Sequence, residues 1–170
     1  YQLVGGNEPW HTAMADEDLS EKSPTFVSAL NCSAVFVKES TKEQRDSAKY
    51  LGPLYFDLDS ENIEEAITGA KALYKKLQGY ELQFSDMEVY LSGKKGLHLV
   101  IPVSVFSVKL PPTAKLALIY KEMAFKLAVD TMDFAVYSQR KGRMFRTTYN
   151  QRENGKWKVQ ITEEEFNDLT

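Results

Sequence analysis

Apolar positions fall into short blocks along the chain, and their period separates strands from helices. Residues 1–25 hold few periodic apolar positions and a cluster of acids (Asp16, Glu17, Asp18 and Glu21), which predicts an irregular lead-in with one short helix. Phe26 to Val37 reads as strand, densest at Ala34-Val35-Phe36-Val37. Glu39 to Lys49 is charged, with Lys42, Arg45 and Lys49, and reads as a solvated turn or short helix. After a turn at Gly52-Pro53, Leu54-Tyr55-Phe56-Asp57-Leu58-Asp59 is a strand that runs straight into two carboxylates. Ile63, Ala66, Ile67, Ala70, Leu73, Tyr74 and Leu77 then recur at helical spacing, with Ser60 as the expected N-cap and Gly79 as the stop.

Met87 to Leu91 and Leu97 to Pro102 predict two strands around a tight Ser92–Gly96 hairpin or bulge. Pro111-Pro112-Thr113 opens a second helix, with Leu116, Ile119, Tyr120, Met123, Leu127 and Ala128 as its apolar face. Asp133 to Ser138 is short and β-like. Met144 to Gln151 and Lys156 to Ile161 flank Asn154-Gly155, a strong hairpin signal, and Thr162 with Glu165 forms a capping box for a last helix. The pattern predicts an α/β (or α+β) domain with a mixed sheet, and it contains no repeat, low-complexity tract or linker.

A chain of 170 residues suits one domain large enough to bury a core, and 43% hydrophobic with 26% charged residues marks it as globular. The chain starts at Tyr1, which points to a domain (residues 1–170) excised from a longer protein. Its net charge of −3 argues against a uniformly basic nucleic-acid binder, though a local basic stripe remains open. Cys32 is the only cysteine and His11 and His98 the only histidines, which excludes disulfide frameworks and Cys- or His-rich metal sites. No apolar run approaches the roughly 18–20 residues of a membrane span, and no signal peptide is visible, so a cytoplasmic location is expected.

The candidate chemistry lies in three places. On a strand Asp57 and Asp59 project from one face, about 6–7 Å apart at their backbones. Carboxylates so close repel unless a cation lies between them, and Mg²⁺ or Mn²⁺ prefers such oxygen ligands. The loop Ser92-Gly93-Lys94-Lys95-Gly96-Leu97-His98 offers N–H groups, a hydroxyl and lysines to phosphates, with His98 as a further donor. Asp133 is a third carboxylate, followed by Arg143 and Arg146, with Arg140 and Lys141 nearby. Taken alone, each has an ordinary explanation: a strand ending in a turn, a solvated hairpin, a structural histidine, a basic face. Together they supply three carboxylates for metal and several cations for a triphosphate, the requirements of in-line phosphoryl transfer.

Tyr55-Phe56-Asp57-Leu58-Asp59 resembles the first motif of the archaeo-eukaryotic primase superfamily, and Ser92 to His98 resembles the second, serine-glycine, two basic residues, glycine, one residue, histidine. Asp133-Phe134-Ala135-Val136 resembles the third motif, and Arg143-Met144-Phe145-Arg146 is similar to the R-x-x-R that follows it in many members. The resemblance spans about residues 50 to 150. It implies an RRM-like catalytic core with a second small α/β unit, and template-dependent nucleotide polymerisation as a primase or primase-polymerase. It further implies that Asp57, Asp59 and Asp133 hold Mg²⁺ or Mn²⁺. Ser92, Lys94, Lys95 and His98 would bind the phosphates of a dNTP or NTP, supported by Arg143 and Arg146. DNA template and primer are the implied partners, and any helicase or zinc module would lie elsewhere or act in trans; the sequence does not name the host element, although a phage or plasmid replication protein would suit so compact a core. Lys stands where several relatives have Arg in the second motif, which weakens bidentate phosphate contact. Asp130 is the alternative third ligand; the Val-Tyr after Asp133 fits the motif better. Two other readings use the same residues: a non-catalytic single-stranded nucleic-acid or origin-binding domain, and a metal-dependent phosphohydrolase or nuclease.

Overall fold

The computed structural model describes residues 2–5, 11–13, 25–33, 41–106, 111–140, 142–148 and 151–170. In chain order its strands are β1 (Gln2–Gly5), β2 (His11–Ala13), β3 (Phe26–Ser28), β4 (Asn31–Cys32), β5 (Tyr50–Leu51) and β6 (Leu54–Asp59). They continue with β7 (Glu88–Leu91), β8 (Gly96–Ile101), β9 (Met144–Arg146) and β10 (Val159–Ile161). The helices are α1 (Lys42–Ser47), α2 (Ile63–Gln78), α3 (Leu116–Lys126) and α4 (Glu163–Asp168). One sheet has the order β10-β7-β8-β6, a second β2-β1-β3-β9, and β4 pairs with β5. The α+β organisation is the expected one, and every described strand pair is antiparallel.

Alternation along β6 sorts its side chains. Leu54, Phe56 and Leu58 are almost wholly buried and join the apolar side of α2 (Ala66, Ile67, Ala70, Leu73, Leu77) in one core. Tyr55, Asp57 and Asp59 face the other way, as period-two geometry requires. The cap of α2 is Asn62, whose side chain accepts from the Glu64 N–H at 3.1 Å. Ser60, the expected cap, instead donates its hydroxyl to Glu65 at 2.7 Å, because two more residues are spent turning out of the strand.

β6 lies at the edge of its sheet, and the chain after α3 covers that edge. The Asp59 N–H donates to Thr131 O at 2.9 Å and the Asp133 N–H to Asp57 O at 2.8 Å. The Tyr137 hydroxyl accepts from the Tyr55 N–H at 2.6 Å and lies 3.2 Å from Tyr55 O. Residues 134–137, expected as strand, form a 3-10 turn (Phe134–Tyr137) because the Asp133 carboxylate accepts from the Ala135 N–H at 2.7 Å. α3 clamps this turn, stacking Phe125 on Phe134 at 4.3 Å and meeting Tyr137 edge-on with Tyr120 at 5.6 Å.

Several other expectations need correction. α3 starts at Leu116, since Thr113 is held extended by mutual backbone hydrogen bonds with Tyr50 at 3.0 Å. Ile119, expected inside, is exposed, while Ala117 and Ala124 face the core. Asn154-Gly155 does form a tight turn, with Gly155 at φ +76°, but its flanking strands part. β9 pairs with β3 and β10 with β7, because each finds an open sheet edge. The Phe26–Val37 strand breaks into β3 and β4, and residues 34–37 lie outside the described residues. In the lead-in, β1 and β2 form strands by pairing with each other, and β1 also pairs with β3; the acids Asp16, Glu17, Asp18 and Glu21 lie outside the described residues. Capping boxes at Thr41 and Thr162 start α1 and α4. Among the described residues no helix is long and apolar enough to cross a membrane.

At Tyr55 the edge of β6 is closed by a side-chain hydroxyl, that of Tyr137. Tyr137→Phe leaves the Tyr55 N–H without its partner, and an unsatisfied buried donor costs about 1–3 kcal/mol. Urea unfolding is expected to show a loss of that size, and unchanged stability would mean that water or movement replaces the contact.

Candidate functional site

Asp57 sits directly across from His98 in the β6–β8 register, and Asp59 across from Gly96. The two carboxylates share a face but not an environment. Asp57 is buried, whereas the Asp59 side chain is 42% exposed at the end of the strand, with Lys95 Nζ 3.9 Å away. Burial, with the charges of Asp59 and Asp133, pushes the Asp57 pKa up to about 6, against the opposing pull of Arg143 and Lys158.

The edge pairing of residues 131–133 carries Asp133 alongside Asp57. Arg143 spans the two: Nη1 donates to Asp57 Oδ2 at 3.2 Å and to Asp133 Oδ2. Its backbone is fixed on both sides, the N–H donating to Val136 O at 2.7 Å and the carbonyl accepting from the Ala29 N–H at 2.9 Å. Gly142 makes this placement possible, with φ +69° and space for a Cβ only 2.8 Å from the Ala29 Cβ. Asp130 is exposed and lines a separate groove of about 740 Å³ between α2 and residues 128–131, with Asn62, Glu64 and Glu65. The fold therefore places Asp133, and not Asp130, against Asp57.

The loop between β7 and β8 is organised by Ser92. Its hydroxyl accepts from the Lys94 N–H at 3.3 Å and the Gly96 N–H at 3.2 Å. Gly96 crosses β6 so closely that a Cβ would lie 2.2 Å from Leu58 O. Lys95 pairs with Glu61 on the rim, and Lys94 lines the cleft. His98 is buried, with Nε2 3.4 Å from Asp57 Oδ1 and its ring edge-on to Phe145 at 4.9 Å. Burial first, then Lys158, Arg152 and Arg143, push its pKa down to about 3, so the imidazole is neutral. A neutral ring has one N–H. If that N–H faces Asp57, Nδ1, which has no partner among the described residues, is left as an acceptor and not as a phosphate donor.

A cleft of about 230 Å³ unites Asp57, Asp59, Ser92, Lys94, Lys95, His98, Arg143 and Arg146. Asp133 adjoins it through Arg143. The Arg146 guanidinium lies 4.7 Å over the Phe26 ring, and its Nε has no partner among the described residues. Arg140 turns away to Asp46 at 3.1 Å, and Lys141 lies outside the described residues.

Three neighbours escape the sequence pattern. Arg152 lines the cleft and donates from Nε to Ser92 O at 2.8 Å. Phe145 stacks on Tyr55 at 4.5 Å and joins the two sheets over the site. Lys158 is 6% exposed, its ammonium 4.4 Å over the Tyr90 ring, and burial pushes its pKa down to about 8. Alternation along Trp157-Lys158-Val159 gives no warning, since the two apolar residues face solvent and the lysine faces inward.

Among the described residues, no three His, Cys, Asp or Glu side chains converge as a formed metal site. Asp57 and Asp133 nonetheless converge on one cation, the Arg143 guanidinium, and their oxygens are the donor type that hard divalent ions take.

No protein-family model matches the chain, nor does any curated protein. Among solved structures it is similar to the polymerase domain of Mycobacterium tuberculosis Ligase D in complex with DNA, with a TM-score of 0.55. The identity is 16%, and the match covers 98% of this chain and 74% of that one. The chain shares the fold of that domain.

The raised Asp57 pKa sets a pH dependence. The folded chain holds this proton more tightly than the unfolded chain, so the group's stabilisation is complete below about pH 4 and lost as pH rises through about 6. Asp57→Asn removes the buried charge and is expected to gain about 1–3 kcal/mol at pH 7.5 in metal-free buffer. That gain should vanish near pH 4. Thermal unfolding at both pH values checks it, and a variant less stable at pH 7.5 would show that the Arg143 pairing outweighs burial.

Proposed function

We propose that this chain is the catalytic core of a template-dependent nucleotidyltransferase, a DNA primase or primase-polymerase. The observation that carries the reading is the meeting of Asp57 and Asp133 at one point, beside a cleft walled by Lys94, Arg146 and Arg152. Carboxylates on one side and cations on the other suit a nucleoside triphosphate, dNTP or NTP, whose reacting phosphate must lie between them. The shared fold with a polymerase domain determined with DNA adds support, and DNA template and primer are the partners this reading takes.

Asp57, Asp59 and Asp133 would hold Mg²⁺ or Mn²⁺, which when bound supplies charge neutralisation for in-line transfer. The remaining work belongs to the chain itself. Lys94, Arg146 and Arg152 draw the triphosphate into the cleft and offset its charge. Ser92 and Lys95 hold the loop in shape, one through its hydroxyl and the other through its rim pairs with Glu61 and Asp59. His98 buttresses Asp57 from the neighbouring strand. Phe145, packed over Tyr55 and His98, keeps water from that side of the carboxylate. A helicase module, in the same protein or in trans, would open the duplex.

A second reading is a non-catalytic domain that binds single-stranded nucleic acid. One observation favours it: a single cation of the chain itself, Arg143, donates to both Asp57 and Asp133.

Primer extension separates these readings, with and without annealed primer, offering dNTPs or NTPs with Mg²⁺ or Mn²⁺. Asp133→Asn is expected to abolish incorporation while the protein stays folded, and Asp130→Asn to keep most activity. Loss in Asp130→Asn alone would move the third ligand to the other groove. Nucleic-acid binding without incorporation by the unaltered chain would favour the binding module.

A further inference from the structure

We propose that Arg143 is a latch on the metal site. Its guanidinium takes the place between Asp57 and Asp133 that a divalent ion needs, and the ion enters only as Arg143 lets go. The inference rests on the nucleotidyl-transfer reading of the same cleft and adds a competition to it.

Asp57 cannot leave. It lies mid-strand, buried, with its carbonyl bonded to the Asp133 N–H. A buried carboxylate needs a compensating cation, and the one donating to it is Arg143. The same Nη1 reaches Asp133, so one cation serves both acids. A divalent ion on those oxygens would meet the guanidinium at close range, and like charges in a partly buried cleft repel strongly. One of them must go. Arg143 is built to move: its side chain is 47% exposed, while its backbone is pinned by Val136 and Ala29. The swing therefore needs only side-chain rotation, and it leaves the guanidinium at the cleft that Arg146 and Lys94 line.

The test is Mn²⁺ binding without nucleotide, followed by the electron paramagnetic resonance of the free ion. Arg143→Gln removes the competitor and is expected to bind Mn²⁺ about tenfold more tightly than the unaltered chain, the equivalent of one charge-assisted hydrogen bond. Arg143→Lys keeps the charge without the fork and should tighten binding less. A merely structural role would not raise affinity. Equal or weaker binding in Arg143→Gln, with clear binding by the unaltered chain, would overturn the latch and leave the metal reading standing. No Mn²⁺ binding by any of the three proteins would remove the metal reading and the latch with it. Should Arg143→Gln fail to melt cooperatively, Arg143→Lys decides by the same criterion.

Discussion

β6 is hydrogen-bonded along both of its edges, and the site exists because of that. One edge pairs with β8, which sets His98 against Asp57 and Gly96 against Asp59. The other edge would be open, and an open edge is a row of unpaired N–H and C=O groups. Residues 131–133 and the Tyr137 hydroxyl close it. That closure satisfies the backbone, and it also delivers Asp133 to Asp57 from seventy-odd residues further along the chain. The hydrogen bonds that close the sheet edge are therefore the ones that bring the two carboxylates together. Each separate contact is modest, on the order of 1 kcal/mol, and two of them join the backbones of Asp57 and Asp59 to residues 131–133.

Electrostatics explain the rest of the cluster. The chain carries a net charge of −3, yet Lys94, Arg143, Arg146, Arg152 and Lys158 gather around one strand face. Asp57 is compensated by Arg143 on one side and has a neutral His98 on the other. The aromatic residues decide which charges stay dry. Phe145 covers His98, and Lys158 lies against the faces of Tyr90 and Phe145, where π electrons partly replace water around an ammonium. A cleft with so much local positive charge beside one buried carboxylate and two more exposed ones suits a ligand that is itself anionic and metal-bound.

Much of this was legible in the sequence where the period was clean. β6, α2, β7, β8 and the α4 capping box follow from alternation, helical spacing and cap chemistry. The loop from Ser92 to Gly96 was visible as glycines around a lysine pair, although Ser92 serves the loop backbone more than it faces the cleft. What escaped was decided by tertiary competition. Phe134-Ala135-Val136-Tyr137 has β composition, but the Asp133 carboxylate captures the Ala135 N–H and starts a 3-10 turn. Asn154-Gly155 turns the chain as its type demands, yet β9 and β10 find partners in different sheets. Lys158 lies inside because the surface around it is aromatic and near an acid, information carried by residues far away in sequence. The Asp57–Arg143–Asp133 bridge is likewise invisible in the sequence, where an arginine taken with a phosphate loop points to phosphate and not to two acids.

The most direct measurement is crystallographic. Crystals soaked in Mn²⁺ with a non-hydrolysable nucleoside triphosphate should give an anomalous peak within bonding distance of Asp57 and Asp133. Asp59 should stand in reach of it, and the Arg143 side chain should be turned toward phosphate. A peak in the groove beside Asp130, or none at all with Arg143 still bonded to both acids, would contradict the assembly of a metal site on β6.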